Sequence, residues 1–501
     1  MNSSPFLYLP WTSPVTLFSV IFSTLPSLTS RTKTEKSGWA PVGLVFPGDP
    51  GISPSTYSPD RGDFGPRFGL AWDPTGKGKL VVRSGFGIFY NVPESELTLQ
   101  FLGAAPYGAQ VVAIGSTDMT HPYQTSVTPL AQNPFPFVPA KPGGTFDFTT
   151  VAPVGLTFMD PHFKTPSAMQ YSLDVQYEVA KNWIASAGFV GSQGRHLEDR
   201  RDIDPALVNS TANNQNEPFR NIYNLNNPQD AAYGGAVFGG ITDQLSDSNS
   251  SYSSLQLSLQ KRTSYGLTMT NAYTYGHCID NGSGLRTNSN PFSASYDRGN
   301  CATDIRHSYV GSVLYELPWF HDQHGFAGRA LGGWSISSVV TLQTGLPFDI
   351  TDSGDRSLTG AGDDRPNYIG GNVQFVDPRA NEFGLLNSYF NGTGGSTATA
   401  STNPYFNRVG SGGAVSLGAG SYGNFGRDVF HGPGTLNTDL RLSKTVHITE
   451  HDTLTLRGEA FNFFNHTQFF NPDGNINDTT FGQVLTAHDP RLVQVTAQFR
   501  F

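Results

Sequence analysis

Apolar and polar side chains alternate along separate stretches of about ten residues each. In "YSLDVQYEV", for example, the apolar residues Tyr171, Leu173 and Val175 take every second position and polar residues stand between them. Side chains of one parity lie on one face of a β-strand, so the pattern predicts strands with one apolar and one polar face. Strands of about 9–11 residues span a bilayer when tilted, whereas strands of soluble sheets have about five or six. A soluble sandwich shows the same alternation, so this pattern alone leaves both folds open.

About eleven such segments follow one another along the chain. They are expected near residues 64–73, 79–90, 167–179, 183–192, 252–262, 266–276, 305–317, 334–345, 436–446, 453–464 and 491–501. The chain also contains 56 Gly, 34 Pro and 12% aromatic residues, a composition typical of strands joined by long loops. The predicted fold class is all-β.

Short and long connections alternate strictly between these segments. The shorter ones are "PTGKGK", "AKN", "TSY", "PWFHDQHGFAGRALGG" and "HITEHD", and long Gly-, Asn- and Ser-rich segments separate the pairs that they join. Outer-membrane barrels have short periplasmic turns and long extracellular loops. The order therefore favours an antiparallel transmembrane β-barrel with long extracellular loops over a sandwich.

The aromatic residues support the same arrangement, because Trp and Tyr prefer the membrane–water interface. Four of the six tryptophans are expected on the periplasmic rim: Trp72, Trp183, Trp319 and Trp334. The opposite rim is expected to collect Phe89, Tyr90, Tyr273, Tyr275, Phe461, Phe463 and Phe464. The alternative is that aromatic residues flank strand ends here as they do in many β proteins.

The chain ends within a predicted strand, "LVQVTAQFRF". A last strand with Phe499 and the terminal Phe501 is similar to the signal by which the barrel assembly machinery recognises bacterial outer-membrane proteins. Outer-membrane lipid and this machinery are therefore predicted partners.

The sequence resembles a known family, the TonB-dependent transporters, and within it the Oar-like group. The resemblance runs from near Trp39 to Phe501 and rests on the order of loose motifs such as "FGPRFGLAWDPTGKGKLVVRSGFGIFYN", "SYSSLQLSLQKRTSYGLTMTNAYTYG" and "LNTDLRLSKTVHITEHDTLTLRGEAFNFFNHTQF". It implies a 22-stranded barrel with a plug domain in its lumen and energised uptake of a large or scarce ligand through the TonB energy complex.

The sequence departs from the family because we recognise no plug, no TonB-contacting segment and no N-terminal β domain. We therefore expect residues 39–501 to be a partial barrel domain, the C-terminal half of a 22-stranded barrel. Residues 1–38 are expected to be irregular or spurious, with a weakly signal-like stretch from Val15 to Leu28. The chain contains no run of about 18 uncharged apolar residues, so no transmembrane helix is predicted.

Two cysteines, Cys278 and Cys301, bracket one predicted extracellular loop. They lie at the tops of neighbouring strands, where antiparallel pairing brings the backbones within disulfide reach. We expect a disulfide at the base of this loop; the alternative is two unpaired thiols.

The polar faces of the strands carry charged side chains that are expected to line a lumen. The candidates are Asp174, Glu178, Arg441, Arg457, Glu459 and Arg500. In an intact family member these residues could contact the plug.

The sequence favours neither an enzyme nor a cofactor or metal site. "TDSGDRSLTGAGDDRPN" and "NPDGNINDTT" are rich in acidic and Asn residues but do not fit the EF-hand template, so hydrated loops are expected there. Asp304, Arg306 and His307 lie too close together on one strand start to converge on a nucleophile. A net charge of −9 without a basic stripe argues against nucleic acid.

Three functions remain at this stage. The first is the barrel of a TonB-dependent, Oar-like transporter; the second is a passive porin or surface adhesin whose strands close alone. The third is a secreted soluble β-sandwich that binds carbohydrate.

Overall fold

One large sheet organises the described part of the chain. The computed structural model describes residues 62–92, 120, 154–160, 162–205, 238–282, 288–352, 356, 357, 359, 364–382, 386–391, 405–407, 421–449 and 451–501. Residues 1–38 and their predicted irregular structure therefore lie outside the described residues.

Eleven strands run side by side in the order β1-β2-β4-β5-β6-β7-β9-β10-β15-β16-β17, and every neighbouring pair on this path is antiparallel. Their bounds are β1 Arg67–Trp72, β2 Leu80–Tyr90, β4 Ser167–Ala180, β5 Trp183–Asp202, β6 Phe238–Ser264, β7 Leu267–Asp280, β9 His307–Glu316, β10 Trp334–Gln343, β15 Thr435–His447, β16 Thr453–Phe461 and β17 Leu492–Arg500. Each corresponds to one of the eleven predicted segments. The predicted antiparallel all-β fold and its alternating short and long connections are confirmed.

The short connections have the backbone geometry that tight antiparallel turns require. Tyr265 and Gly266 join β6 to β7 with φ angles of 53° and 73°, as in turns whose twist matches the flanking strands. A side chain at Gly266 would place its Cβ 2.3 Å from the Glu316 carbonyl oxygen, so the turn also needs glycine for close approach. In the β1–β2 turn, the Asp73 carboxylate accepts hydrogen bonds from the backbone of Thr75, Gly76 and Gly78.

Two strands are much longer than the alternation predicts. β5 reaches Asp202 instead of 192, and β6 begins at Phe238 instead of 252. The added residues are mostly polar, and their four large apolar residues, Leu197, Phe238, Ile241 and Leu245, do not alternate strictly with polar ones. They therefore carry no clear period-2 hydrophobic signal, although their backbones stay paired through irregular register. These extensions correct the prediction of loops there.

A further strand, β3 (Val154–Met159), was missed and lies parallel to the first part of β6. It is an exception to the predicted antiparallel arrangement, in a segment of only six residues. β8 (Gly299–Asn300) pairs with the end of β7. Two small ladders were also missed: β11 (Pro347–Phe348) with β14 (Phe430–His431), and β12 (Asn367–Tyr368) with β13 (Phe406–Asn407). The medium connection contains helix α1 (Gly325–Leu331).

Candidate functional site

The eleven-stranded sheet, which we call the wall, exposes apolar side chains that a soluble protein would bury. On β4, Leu173, Val175 and Tyr177 are 49%, 39% and 48% exposed, whereas Asp174 and Gln176 between them are more covered. The apolar face continues across the neighbouring strands, for example from Val175 through Ala187 to Leu257. A two-layer sandwich would bury this face, and among the described residues no second sheet covers it.

The six predicted lumen residues all lie on the opposite, polar face, but in two separate groups. Asp174 and Glu178 are on β4, where Asp174 lies opposite Arg83 with 3.8 Å between the Nη1 and Oδ1 atoms. Arg83 was missed, although its place in the alternation of "VVRSG" could have identified it.

The second group spans β15, β16 and β17. Arg441 lies opposite Glu459 with 3.9 Å between Nη1 and Oε1, and Arg457 donates a hydrogen bond of 3.3 Å to the Gln498 side chain. Arg500 lies opposite Thr453 at the end of the same face. These pairs are long, partly exposed and separated along the polar face, so they do not converge as the residues of a catalytic site do.

The four tryptophans among the described residues lie at the short-turn edge of the sheet. Trp72 ends β1, Trp183 begins β5, Trp334 begins β10 and Trp319 follows the end of β9. At the other edge, the Tyr273 hydroxyl lies 2.8 Å from His307 Nδ1, and the Tyr275 ring packs on the same imidazole. Aromatic residues thus flank the apolar face at both edges, as they do at the two interfaces of a membrane barrel. Phe499 and Phe501 stack at the end of β17.

A disulfide joins Cys278 at the end of β7 to Cys301, with 5.3 Å between the two Cα atoms. The Cys301 amide also donates to the Cys278 carbonyl, at 3.1 Å. The Cys278 amide donates to buried Asp304, which pairs with Arg306 at 3.0 Å. "DIRH" therefore lies at a strand start, as predicted. Its charges lie at the base of the segment between Cys278 and Cys301, which we call the disulfide-closed segment.

The described residues of the long links between β10 and β15 (344–434) and between β16 and β17 (462–491) pack into one unit, which we call the loop body. Its aromatic core is buried and joins segments far apart in sequence; Phe390 and Phe481, for example, meet edge to face with 5.2 Å between ring centroids. The core residues are Phe348, Ile350, Val373, Phe390, Phe406, Phe425, Ile476 and Phe481. Sequence reasoning missed this core because loop residues have no hydrophobic period.

Two buried arginines fasten the loop body to the disulfide-closed segment. Arg365 pairs with Asp297 at 2.8 Å, donates to the carbonyls of Phe425 and Tyr296, and stacks 3.8 Å above the Tyr296 ring. Burial raises the pKa of Tyr296 to about 12, so its hydroxyl stays a donor, to the Gly423 carbonyl.

The second arginine, Arg427, pairs with Asp280 at the end of β7 and donates to the Asn300 carbonyl. The Asn300 side chain in turn donates to the Asp428 carbonyl at 2.7 Å. Neither buried arginine was recognised from the sequence. Full burial of an arginine requires a paired carboxylate, and both carboxylates come from residues distant in the chain.

The two acidic loop stretches use their side chains within the loop body. Asp352 pairs with Arg356 at 3.0 Å and accepts a 2.7 Å hydrogen bond from Asn477, while Asp473 accepts from Thr480 and from the Asn475 amide. Across the part of the chain that the structure describes, no group of three or more His, Cys, Asp or Glu side chains is arranged to hold a metal ion.

The match to a protein-family model agrees with this geometry. Residues 17–494 match the model of a family described as the outer membrane beta barrel domain. The solved structures that it resembles include the outer membrane transporter YddB from Escherichia coli, at 12% identity and a TM-score of 0.45, covering 87% of this chain and 40% of that one.

Two further solved structures show the same partial overlap. A variant of the ferric enterobactin receptor PfeA from Pseudomonas aeruginosa is 11% identical, with a TM-score of 0.38 and coverage of 87% of this chain and 40% of that chain. The ferric citrate transporter FecA is 9% identical, with a TM-score of 0.36 and coverage of 87% and 38%. The chain thus spans well under half the length of these proteins. No curated protein matches it.

The described residues include no helix long and apolar enough to cross a membrane. The family match extends over nearly the whole chain and agrees with the exposed apolar face of its antiparallel sheet. The chain belongs to the outer membrane beta barrel domain family, and its location is the outer membrane.

Proposed function

We propose that this chain forms the C-terminal half of the barrel of a TonB-dependent, Oar-like transporter, which takes up a large or scarce ligand. The role of the wall is to form a closed, polar-lined passage together with strands from another part of the protein. The mechanism involves no bond chemistry. Energy from the TonB complex displaces a plug from the lumen, and the ligand then passes.

The observation that carries the proposal is the direction of the two outermost strands. With eleven antiparallel strands on the path, β1 and β17 run in the same direction. Closure by antiparallel neighbours alone therefore requires an odd number of additional strands, and eleven more would complete the 22 strands implied by the family resemblance. Bare strand edges in lipid cost several kcal/mol per unpaired backbone group, so completion is strongly favoured.

The polar face supports a role in contact with a plug. Asp174, Glu178 and Glu459 supply negative charges to this face, and Arg441 and Arg457 supply positive ones. The two ion pairs there, Arg83 with Asp174 and Arg441 with Glu459, are long and partly exposed, which leaves hydrogen-bonding capacity for another surface. Arg500 extends the same face to the periplasmic end of β17.

A passive porin or adhesin in which these strands close alone is the second candidate. The loop body, whose described residues share a buried aromatic core, is the observation in its favour. Self-closure of the described strands, however, would require a parallel seam between β1 and β17. The soluble sandwich is excluded by the family match and by the uncovered apolar face.

The test compares the chain alone with the product of the longest reading frame that contains it, both refolded into lipid vesicles. We expect the chain alone to give neither a heat-modifiable band on gels nor single-channel conductance, and the longer protein to give the band and plug-dependent closure. A stable, conducting pore from the chain alone would contradict the transporter proposal and favour the porin.

A further inference from the structure

Above the wall, the strand extensions form a polar platform that we call the arm. It consists of β3, residues 195–202 of β5 and residues 238–250 of β6. Asp243 lies nine residues before the predicted membrane-crossing segment at 252, about 30 Å along the strand, so the arm is outside the bilayer.

The arm concentrates carboxyl groups that its cations do not match. Arg201 pairs with Asp247 through Nη2 at 2.6 Å, and the buried Nε atoms of Arg200 and Arg201 have no hydrogen-bond partner among the described residues. Asp160 lies 3.3 Å from exposed His162. Asp243 is 8% exposed and Asp199 1% exposed. Within the described residues, Asp243 Oδ1 and Asp199 Oδ2 are buried without a hydrogen-bond partner.

We propose that the arm is a pH-sensitive element of the extracellular surface, held together while Asp243 and Asp199 carry protons and loosened when they ionise. A protonated carboxyl group can be buried at little cost, whereas an unpaired buried carboxylate is strongly destabilising. The charged groups around the pair come from every neighbouring element: Asp160 and His162 after β3, Arg200, Arg201 and Asp202 on β5, and Asp247 on β6.

The direction of the titration agrees with the geometry. Burial, reinforced by the nearby Asp160 and Asp247 carboxylates against the attraction of Arg201, raises the pKa of Asp243 to about 8. Burial raises the pKa of Asp199 to about 6, despite the Arg200 amide that donates to it. A carboxyl group with a raised folded-state pKa stabilises the folded arm at low pH, and this stability is lost as the pH rises from about 4 towards 6 for Asp199 and 8 for Asp243.

Loosening the arm would affect the disulfide-closed segment, which is bound to it. The Asn288 amide donates to the Arg200 carbonyl at 2.8 Å, and the Asn249 amide donates to the Asn281 side chain at 2.6 Å. Fully buried Ser248 lies against Gly282 of the same segment. Ionisation of the arm therefore weakens the attachment of Asn281, Gly282 and Asn288 while the wall below stays paired.

Hydrogen exchange of the full chain in lipid, at pH 5.5 and pH 8.5 with labelling times scaled to intrinsic exchange, tests this proposal. We expect scaled exchange in peptides covering 195–202 and 238–250 to be at least about tenfold faster at pH 8.5, because each group contributes up to about tenfold per pH unit between its unfolded and folded pKa. Peptides from β15 (Thr435–His447) should not change.

Replacing both carboxyl groups by neutral amides, Asp199→Asn with Asp243→Asn, should remove most of the pH dependence. The exposed Asp322→Asn is the matched control and should retain it. Equal scaled exchange of the wild-type arm at both pH values would overturn the proposal, as would full pH dependence in the double variant. If the double variant does not fold, Asp243→Asn alone decides, since its exchange should rise much less than wild type between pH 7 and 8.5.

Discussion

The wall and the loop body solve the burial problem in opposite ways. The wall carries its Leu, Val and Tyr side chains on an uncovered face and its partly exposed charged side chains on the other. The loop body buries phenylalanines in a core and encloses Arg365 with Asp297, as a water-soluble domain does. The difference shows that one chain is adapted to two solvents, lipid around the wall and water around the loop body.

The largest expected effect comes from breaking the loop body's buried ion pair. Arg365→Met leaves Asp297 buried without its partner and should destabilise the loop body by about 3–5 kcal/mol. Hydrogen exchange of peptides covering 364–382 and 421–434 measures it.

The matched control is Arg379→Met, because Arg379 pairs with Asp377 at the surface, where both side chains are about half exposed. Exposed pairs contribute about 0–1 kcal/mol. Equal effects of the two substitutions would show that Arg365 does not fasten the loop body.

The second largest loss of stability is expected when the disulfide is removed. Cys278→Ser with Cys301→Ser opens a loop with a sequence separation of 23, and the chain-entropy estimate for such a loop is about 3 kcal/mol. Denaturant unfolding with and without the bridge measures the difference. The loss should be confined to the disulfide-closed segment and the loop body; destabilisation of β15–β17 instead would contradict the assignment.

On the wall, Leu257→Arg should cost about 2–4 kcal/mol, because it places a charge on the lipid-facing side of a membrane strand. Gln256→Arg, one position away on the polar face, should be close to neutral. Equilibrium unfolding from vesicles compares the two, and a reversed order would assign the faces the other way round.

The smallest change in the free energy of unfolding is expected on the polar face of the wall. Glu459→Gln removes one partner of a 3.9 Å pair with Arg441, and both side chains are partly exposed. The expected change in the free energy of unfolding is below about 1 kcal/mol and should diminish further in high salt. A loss of several kcal/mol would mean that this face is dry.

The sequence predicts the wall well, because alternation is a local signal repeated in every membrane-crossing strand. All eleven strands and their directions follow from residues such as Leu255, Leu257 and Leu259 and from the short turns between them. The extensions of β5 and β6 were missed because polar strands in water carry no such period.

The loop body could not be predicted for a different reason. The Arg365–Asp297 pair joins residues 68 apart, and Arg427 reaches Asp280 across 147. Nothing in the local composition of either loop indicates its partner. The charged residues of the polar face were partly predicted. Their cross-strand pairs depend on the register of the strands, which places Arg83 opposite Asp174.

Spin labels at Val175, Leu257 and Val495, in full-length protein refolded into bilayers, test most directly whether lipid covers the apolar face. The account predicts frequent collisions with dissolved oxygen and rare collisions with a polar nickel reagent, and the reverse at Gln256 on the other face. High accessibility to the nickel reagent at the three apolar positions, or labels immobilised by packed protein, would contradict it.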